Sequence, residues 1–96
     1  MFIEFAEDAV NVLSSWSGTC ETLADSCKYG RVSNFIISAT LAPTMDLPTN
    51  SRWYVQIIGW SDTFAMILAF PFATTEGTSP YRKVKMNGTW SGWIPM

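Results

Sequence analysis

The sequence predicts a mainly β fold: a small antiparallel sheet or sandwich with a C-terminal Asn-Gly hairpin, preceded by a short N-terminal helix. Three observations support this prediction. Apolar and polar residues alternate with a period of two in several segments after residue 31, as they do in strands. The pair Asn87-Gly88 supplies two residues that tolerate positive φ, as a type I′ turn requires. Residues 2–16 instead repeat apolar side chains at spacings of three and four.

The length and composition of the chain limit it to one small domain. Its 96 residues lie near the lower limit for a self-sufficient core, and 48% of them are hydrophobic, which excludes a disordered chain. We expect an N-terminal helix and connecting segment over residues 1–27 and an antiparallel β domain over residues 28–96. Because the apolar supply is large for one core, we also expect either an exposed aromatic patch or a subunit interface, and an oligomer before a monomer.

An amphipathic helix is predicted for residues 2–16. Its apolar stripe repeats at spacings of three and four: Phe2, Ala6, Ala9, Leu13 and Trp16. Acidic residues lie near its start, where the helix dipole favours negative charge, and Gly18 is expected to end it. A second, short helical turn is expected around Glu21–Ser26.

Alternation with a period of two predicts the strands of the β domain. They are residues 31–41, 52–59, 63–70, 81–86 and 89–94. The second and third are apolar on both faces, so they are either covered on two sides or meet another subunit. Residues 59–62 form a turn in this interpretation, and a bulge at Gly92 brings Trp90 and Trp93 towards one side of the last strand.

The charge and hydropathy of the chain argue against two classes of partner. The net charge is −2 with six Lys and Arg residues, and three of these six, Arg82, Lys83 and Lys85, lie in one predicted strand. Such a chain cannot build a broad basic surface, so we expect no nucleic-acid binding. No run of about eighteen apolar residues occurs, so we expect no membrane insertion. The N-terminus also lacks the pattern of a secretory signal.

The absence of histidine removes most catalytic and metal chemistry. It excludes Ser-His-Asp and Cys-His arrangements, and Cys20 with Cys27 cannot complete a tetrahedral zinc site. The acidic residues after the helix are scattered over loops and turns, a pattern that favours turn capping over a paired-carboxylate glycosidase. We therefore expect no enzyme, no cofactor and no metal. The two cysteines either close a short disulfide loop or remain buried free thiols, the alternative we favour.

Two parts of the chain resemble a known family. Residues 54–70 and 81–93, with an aromatic-Arg strand, an Asn-Gly-Thr-Trp turn and a second tryptophan at Trp93, resemble the pyocin-knob type of domain in the distal tail fibres of phages and R-type pyocins. Residues 28–32 are similar to the first strand of that family, although the match is looser. The resemblance covers roughly residues 28–96.

The resemblance implies a function in host attachment. Members of this family are all-β homotrimeric fibre tips without catalytic machinery, and they contact the bacterial surface, often its glycans. We therefore expect a receptor-binding knob, carried on the virion with the rest of the tail fibre and extracellular when it functions. The apolar N-terminal segment departs from the family pattern and is interpreted as a neck or cap. The alternative is a structural trimerisation or capping module without receptor contact.

Exposed aromatic side chains are the best candidates for glycan contact, because sugar rings stack their apolar faces on tryptophan and tyrosine. They fall into two clusters, one in a turn and one on neighbouring strands: Trp60, Ser61 and Asp62, and Tyr81, Arg82 and Trp90. Each cluster has a structural alternative. Trp60 either binds ligand or folds back as a core lid or interface residue, and Arg82 either binds ligand or stacks on Trp90.

Overall fold

The computed structural model describes residues 10–72 and 79–96. In these residues seven strands form one open sheet, accompanied by one α-helix and one 3-10 helix, which confirms the mainly β class. The elements in chain order are β1 Val10–Leu13, α1 Cys20–Asp25, β2 Arg31–Ile37, the 3-10 helix Ala42–Met45, β3 Trp53–Gly59, β4 Ala65–Pro71, β5 Tyr81–Met86, β6 Thr89–Trp90 and β7 Ile94–Pro95. None of the helices described is long and apolar enough to cross a membrane.

The strands follow the order β1-β2-β3-β4-β5-β6, with β7 paired to β5 beside β6. The pairs from β2 to β7 are antiparallel, whereas β1 joins β2 in parallel. In the β5–β6 pair, Met86 lies opposite Thr89, and the two residues between them have φ values of 53° at Asn87 and 83° at Gly88. Strands β2 to β6 thus form a meander in which each strand pairs with its neighbour in sequence, whereas β7 pairs with β5 and not with β6.

The helix predicted for residues 2–16 is wrong where the structure describes that segment. Val10–Leu13 form β1, an edge strand whose ladder hydrogen bonds come from β2. The β-branched side chains of Val10 and Val12 favour a pleated strand, and the apolar spacing of so short a segment fits either structure. Residues 2–9 of the predicted helix lie outside the described residues.

The described helix α1 lies after Gly18 and not before it. Its N-cap is Thr19, whose hydroxyl oxygen accepts a hydrogen bond from the Thr22 backbone nitrogen at 3.4 Å. Gly18, which we expected at a helix end, has a φ of +148°, and a Cβ there would lie 2.2 Å from the Thr22 hydroxyl oxygen, so glycine is needed for this approach. The α1 side chains Cys20 and Leu23 are buried against the sheet. Both described elements before residue 28 therefore contact the β domain.

One face of the sheet is buried, and we call it the covered face. Its layer of cover consists of α1, the 3-10 helix and the C-terminal tryptophans. The inward side chains of the central strands alternate as the sequence predicts: Ser33, Phe35 and Ile37 on β2, Trp53, Val55 and Ile57 on β3, Ile67 and Ala69 on β4, and Tyr81, Lys83 and Lys85 on β5.

The opposite side of the sheet we call the open face, because no described element covers it. The side chains that alternate onto it are Val10, Val12, Val32, Asn34, Ile36, Tyr54, Gln56, Ile58, Met66, Leu68, Phe70, Arg82, Val84 and Met86. All of them are half-buried or exposed. The strands that the sequence shows to be apolar on both sides therefore place one apolar side on the covered face and the other on the open face.

The strands predicted for residues 52–59 and 63–70 are β3 and β4, within two residues at each end, whereas two other predicted strands differ more from the structure. β2 ends at Ile37 instead of residue 41, because Leu41 and Ala42 donate backbone hydrogen bonds to the Ser38 carbonyl and start the turn into the 3-10 helix. The predicted strand 89–94 divides into β6 and β7. At the break, the Ser91 hydroxyl accepts from a backbone nitrogen of β5 at 3.0 Å and so replaces a ladder bond.

Candidate functional site

The loop between β3 and β4 presents Trp60 to solvent. The backbone nitrogens of Trp60 and Ser61 both donate to the Phe64 carbonyl, at 3.1 and 3.0 Å, which is the two-against-one pattern of a β-bulge. A bulge turns the side chain away from its regular position. The Trp60 ring is 74% exposed and contacts the Phe64 ring, with centroids 5.2 Å apart and planes inclined at 44°. Trp60 is therefore braced at one side and open at the other.

The two polar residues beside Trp60 differ in availability. The Ser61 hydroxyl accepts from the Thr63 backbone nitrogen at 3.3 Å and lies 3.1 Å from the Thr63 hydroxyl, so it belongs to the turn itself. The Asp62 side chain is exposed, and its carboxylate makes no hydrogen bond or ion pair with another described residue. Asp62 thus has an exposed acceptor group that no other described residue uses.

An apolar cleft of about 230 Å³ adjoins Trp60 on the open face. Its lining is Ile58, Trp60, Phe64, Ala65, Met66, Val84, Lys85 and Met86. Lys85 is the one charged residue in that set. A cleft of this kind fits the apolar side of a ring better than it fits an ion.

A second groove, of about 410 Å³, lies on the far side of β5 and contains two of the predicted site residues, Arg82 and Trp90. It shares Val84 and Met86 with the first cleft, so the two depressions are neighbours. The Arg82 guanidinium makes no hydrogen bond or ion pair with another described residue. The second groove therefore combines an available cation with the hydroxyl of Thr89.

The third residue of the predicted strand cluster, Tyr81, lies on the other face. Its ring packs 6.3 Å from the Trp53 ring at the core, because neighbours on a strand point to opposite sides. The cation above Trp90 is likewise not Arg82. Lys85 pairs with Trp90 in register, and its ammonium lies 5.7 Å from the Trp90 ring centroid. The structure brings Arg82 and Trp90 to one groove and separates Tyr81 from them.

A buried lysine was missed in the sequence. Lys83 is 3% exposed, and its Nζ lies 2.7 Å from Glu21 Oε2, 3.5 Å from Asp46 Oδ2 and 4.9 Å from the Trp93 ring centroid. The Trp93 indole nitrogen donates to the Asp46 carbonyl at 2.6 Å. The only signal was that Lys83 alternates in phase with the inward Tyr81, and lysine is so rarely buried that the pattern favoured exposure. This cluster joins β5, α1, a loop and the C-terminal segment.

Both cysteines are free and buried. Burial raises the pKa of the Cys20 thiol to about 12, an effect that nearby Lys83 only partly offsets, and burial also raises the pKa of Cys27. Raised values keep these thiols protonated and unreactive. Within residues 10–72 and 79–96, no three His, Cys, Asp or Glu side chains are grouped so as to hold a metal ion.

A polar network lies in the middle of the otherwise apolar open face. Asn34 Oδ1 accepts from the Tyr54 hydroxyl at 2.5 Å and from Gln56 Nε2 at 3.3 Å. These residues lie side by side on β2 and β3, so the bonds run across the strands. Some of the polar atoms of the open face thus form hydrogen bonds with one another.

Comparisons with protein-family models, with curated proteins and with solved structures found no match to this chain.

Proposed function

We propose that this chain is the receptor-binding knob of a phage-type tail fibre and attaches the particle to a bacterial cell-surface glycan. The observation that carries the proposal is Trp60, which is 74% exposed on a loop where its ring is braced by Phe64. A braced, exposed indole offers an apolar plate to a sugar ring at little conformational cost. Asp62, two positions further along the same loop, has an exposed carboxylate that no other described residue binds, and it provides an acceptor for sugar hydroxyls.

Two further features support the same proposal. Arg82 and Thr89 place a cation and a hydroxyl in the neighbouring groove, where they provide polar contacts for a second part of the ligand. The hairpin at Asn87-Gly88 acts as scaffold, since the Gly88 nitrogen donates to the Thr63 carbonyl at 3.1 Å and so supports the Trp60 loop.

The proposed knob binds and does not cleave its glycan. It acts as a homotrimer at the end of the tail fibre, on the virion and outside any cell, so that each copy repeats one weak site. Linked weak sites give an avidity well above that of one site. No cofactor takes part in this mechanism.

The alternative is a structural trimerisation or capping module that registers the fibre without touching a receptor. The observation that favours it is the open face, which is apolar and has no described cover. In that case Trp60 would contact another part of the fibre, and its exposure in a single chain would have no bearing on ligands.

A glycan array with wild type, Trp60→Ala and Pro43→Ala tests the proposal. Pro43 is exposed on the 3-10 helix, on the opposite side of the sheet, and serves as the matched control. Losing one aromatic contact of about 1 kcal/mol lowers affinity roughly tenfold or less at each site, and avidity multiplies this loss. We expect Trp60→Ala to lose binding to the glycans that wild type and Pro43→Ala retain. Equal binding by all three proteins would contradict the proposal and favour the structural alternative.

A further inference from the structure

The side chains of the open face are mostly apolar, as in a protein core, but they are exposed to solvent or half-buried. Of its fourteen side chains, only Arg82 is charged, and it lies on β5 at one side of the face. Large apolar side chains on it remain in contact with solvent: Val12 is 75% exposed, Met86 60% and Phe70 37%. Soluble chains rarely leave so continuous an apolar area uncovered unless something binds there.

The three polar side chains in the middle of the face, Asn34, Tyr54 and Gln56, do not prevent its burial. Tyr54 and Gln56 both donate to Asn34 Oδ1, at 2.5 and 3.3 Å, and these bonds survive when water is removed. A buried polar group is costly mainly when it has no partner, so this network lowers the cost of covering the face.

The dimensions of the face suit a specific interface. Its five strands, β1 to β5, span about 24 Å at strand spacing. The strands β2 to β5 have six or seven residues and are about 22 Å long, whereas β1 has four, so the footprint is roughly 500 Å². Two such faces together would bury about 1,000 Å² of flat area, and the uneven surface of the side chains adds to it. This is about the size that a biological interface must reach. The same footprint lies near the upper end for the largest patch on a monomer, about 300–600 Å².

The distribution of charge indicates the occupant. The ion pairs that join two described residues, Lys83 with Glu21 and Asp46 and Lys85 with Asp25, lie on the covered side. The open face therefore has no charge pattern with which to select a polyanion or a charged protein. An apolar sheet face is complementary to an identical face, which packs on it at about 10 Å between sheets.

We propose that copies of this chain associate through their open faces, which meet at the axis of the homotrimer, so that each open face is covered by the same face of the other two copies. The inference deepens the self-association in the proposed function and rests on that part of it alone. It assigns association to the middle of the sheet and leaves the Trp60 loop, at one end of the sheet, free for ligand.

Light scattering after size exclusion tests the proposal with two variants that add the same charge. Leu68→Glu places a carboxylate at the centre of the open face, directly across from Arg82, where an opposite charge favours the folded single chain. Pro43→Glu adds it on the exposed 3-10 helix behind the covered face. We expect wild type and Pro43→Glu to have the mass of an oligomer and Leu68→Glu that of one chain. A wild type that is monomeric at every concentration, or a Leu68→Glu variant that keeps the oligomeric mass, would overturn it.

Thiol accessibility provides a second readout in case Leu68→Glu fails to fold. Because Cys20 and Cys27 are buried, Phe70→Cys and Pro43→Cys each add one exposed thiol. We expect alkylation of the thiol at position 70 to slow about tenfold or more above the association midpoint, while the thiol at position 43 reacts fast throughout. A thiol at position 70 that is protected in monomers would show that the chain covers its own face, and would overturn the proposal.

The outcome is distinguishable from that of the proposed function. Trp60 lies at the end of β3 near Ala65, whereas Phe70 pairs with Tyr54 near the opposite end of the same strands. Trp60→Ala should therefore lose glycan binding and keep the oligomeric mass. Leu68→Glu should lose the oligomeric mass. If Trp60→Ala alone dissociated the oligomer, association would depend on the loop and not on the open face.

Discussion

Lys83 is the one charged residue that is buried in the part of the chain that the structure describes. Its ammonium is removed from water and held between Glu21 and Asp46, with the Trp93 ring beside it. Removing charges from water costs free energy that a pair recovers only with good geometry, and the 2.7 Å contact with Glu21 has it. Through these contacts Lys83 joins β5 to α1 and to the C-terminal segment.

Replacing Glu21 should therefore cost more than replacing another acidic residue of the same helix. Glu21→Ala leaves the buried ammonium with the more distant Asp46, and we expect a loss of about 1–3 kcal/mol in the free energy of unfolding. Asp25→Ala, which breaks the more exposed pair with Lys85, should cost about 1 kcal/mol or less. Urea unfolding of the two variants measures both. Equal losses would mean that Lys83 does not depend on Glu21.

The buried thiols give a prediction about pH. The pKa of Cys20 is raised by burial from 9.0 to about 12, so the folded state favours the protonated thiol. This contribution to stability is complete below pH 9 and is lost progressively as pH rises towards 12, because the unfolded chain ionises first. We expect native protein to react slowly with a thiol reagent at pH 8 and unfolded protein to react fast at both cysteines. Rapid reaction of the native protein would contradict the burial.

At the scale of elements, the C-terminal segment is held by one tryptophan bond and not by the other. Trp93 donates to the Asp46 carbonyl at 2.6 Å, whereas the buried Trp90 indole nitrogen has no partner among the described residues. Trp93→Phe should therefore lower the free energy of unfolding by about 1 kcal/mol more than Trp90→Phe, which removes an unpaired donor. Thermal or urea unfolding compares them. A larger loss for Trp90→Phe would contradict the hydrogen bond assigned to Trp93.

The elements that could be predicted are those in which the local sequence pattern and the pairing with the rest of the chain favour the same secondary structure. The alternation in β3 correctly predicted which residues share the buried face, and the short turn expected around Glu21–Ser26 is α1, Cys20–Asp25. β1 was missed because its four residues fit a helix or a strand locally, and pairing with β2 decides between them. That pairing joins residues more than twenty positions apart, which a local pattern cannot show.

The candidate site was predictable in part for the same reason. A large ring in a turn made Trp60 a candidate for exposure, with a core lid or an interface as the alternative, and the structure exposes the ring in the single chain. Tyr81 was grouped with Arg82 from proximity alone, although neighbours on a strand point to opposite faces. The available carboxylate of Asp62 and the groove around Arg82 depend on what the rest of the chain leaves unpaired, and only the structure describes that.

At the scale of the whole molecule, three different parts of one sheet are assigned three different roles. The covered face provides the core and the ion pairs, the open face is proposed to join copies, and the loop at one end is proposed to bind a glycan. The separation follows from the meander, because β3 and β4 carry both the centre of the open face and the loop that follows Gly59.

Binding of the labelled protein to whole bacterial cells tests the central claim most directly. A panel of strains is stained with wild type and with Trp60→Ala, before and after periodate oxidation of the cells, which destroys sugar diols, and after protease treatment. We predict that wild type stains particular strains, that periodate removes the staining and protease does not, and that Trp60→Ala fails to stain. Staining that resists periodate but is lost after protease, or that is unchanged in Trp60→Ala, would contradict a glycan-binding knob centred on Trp60.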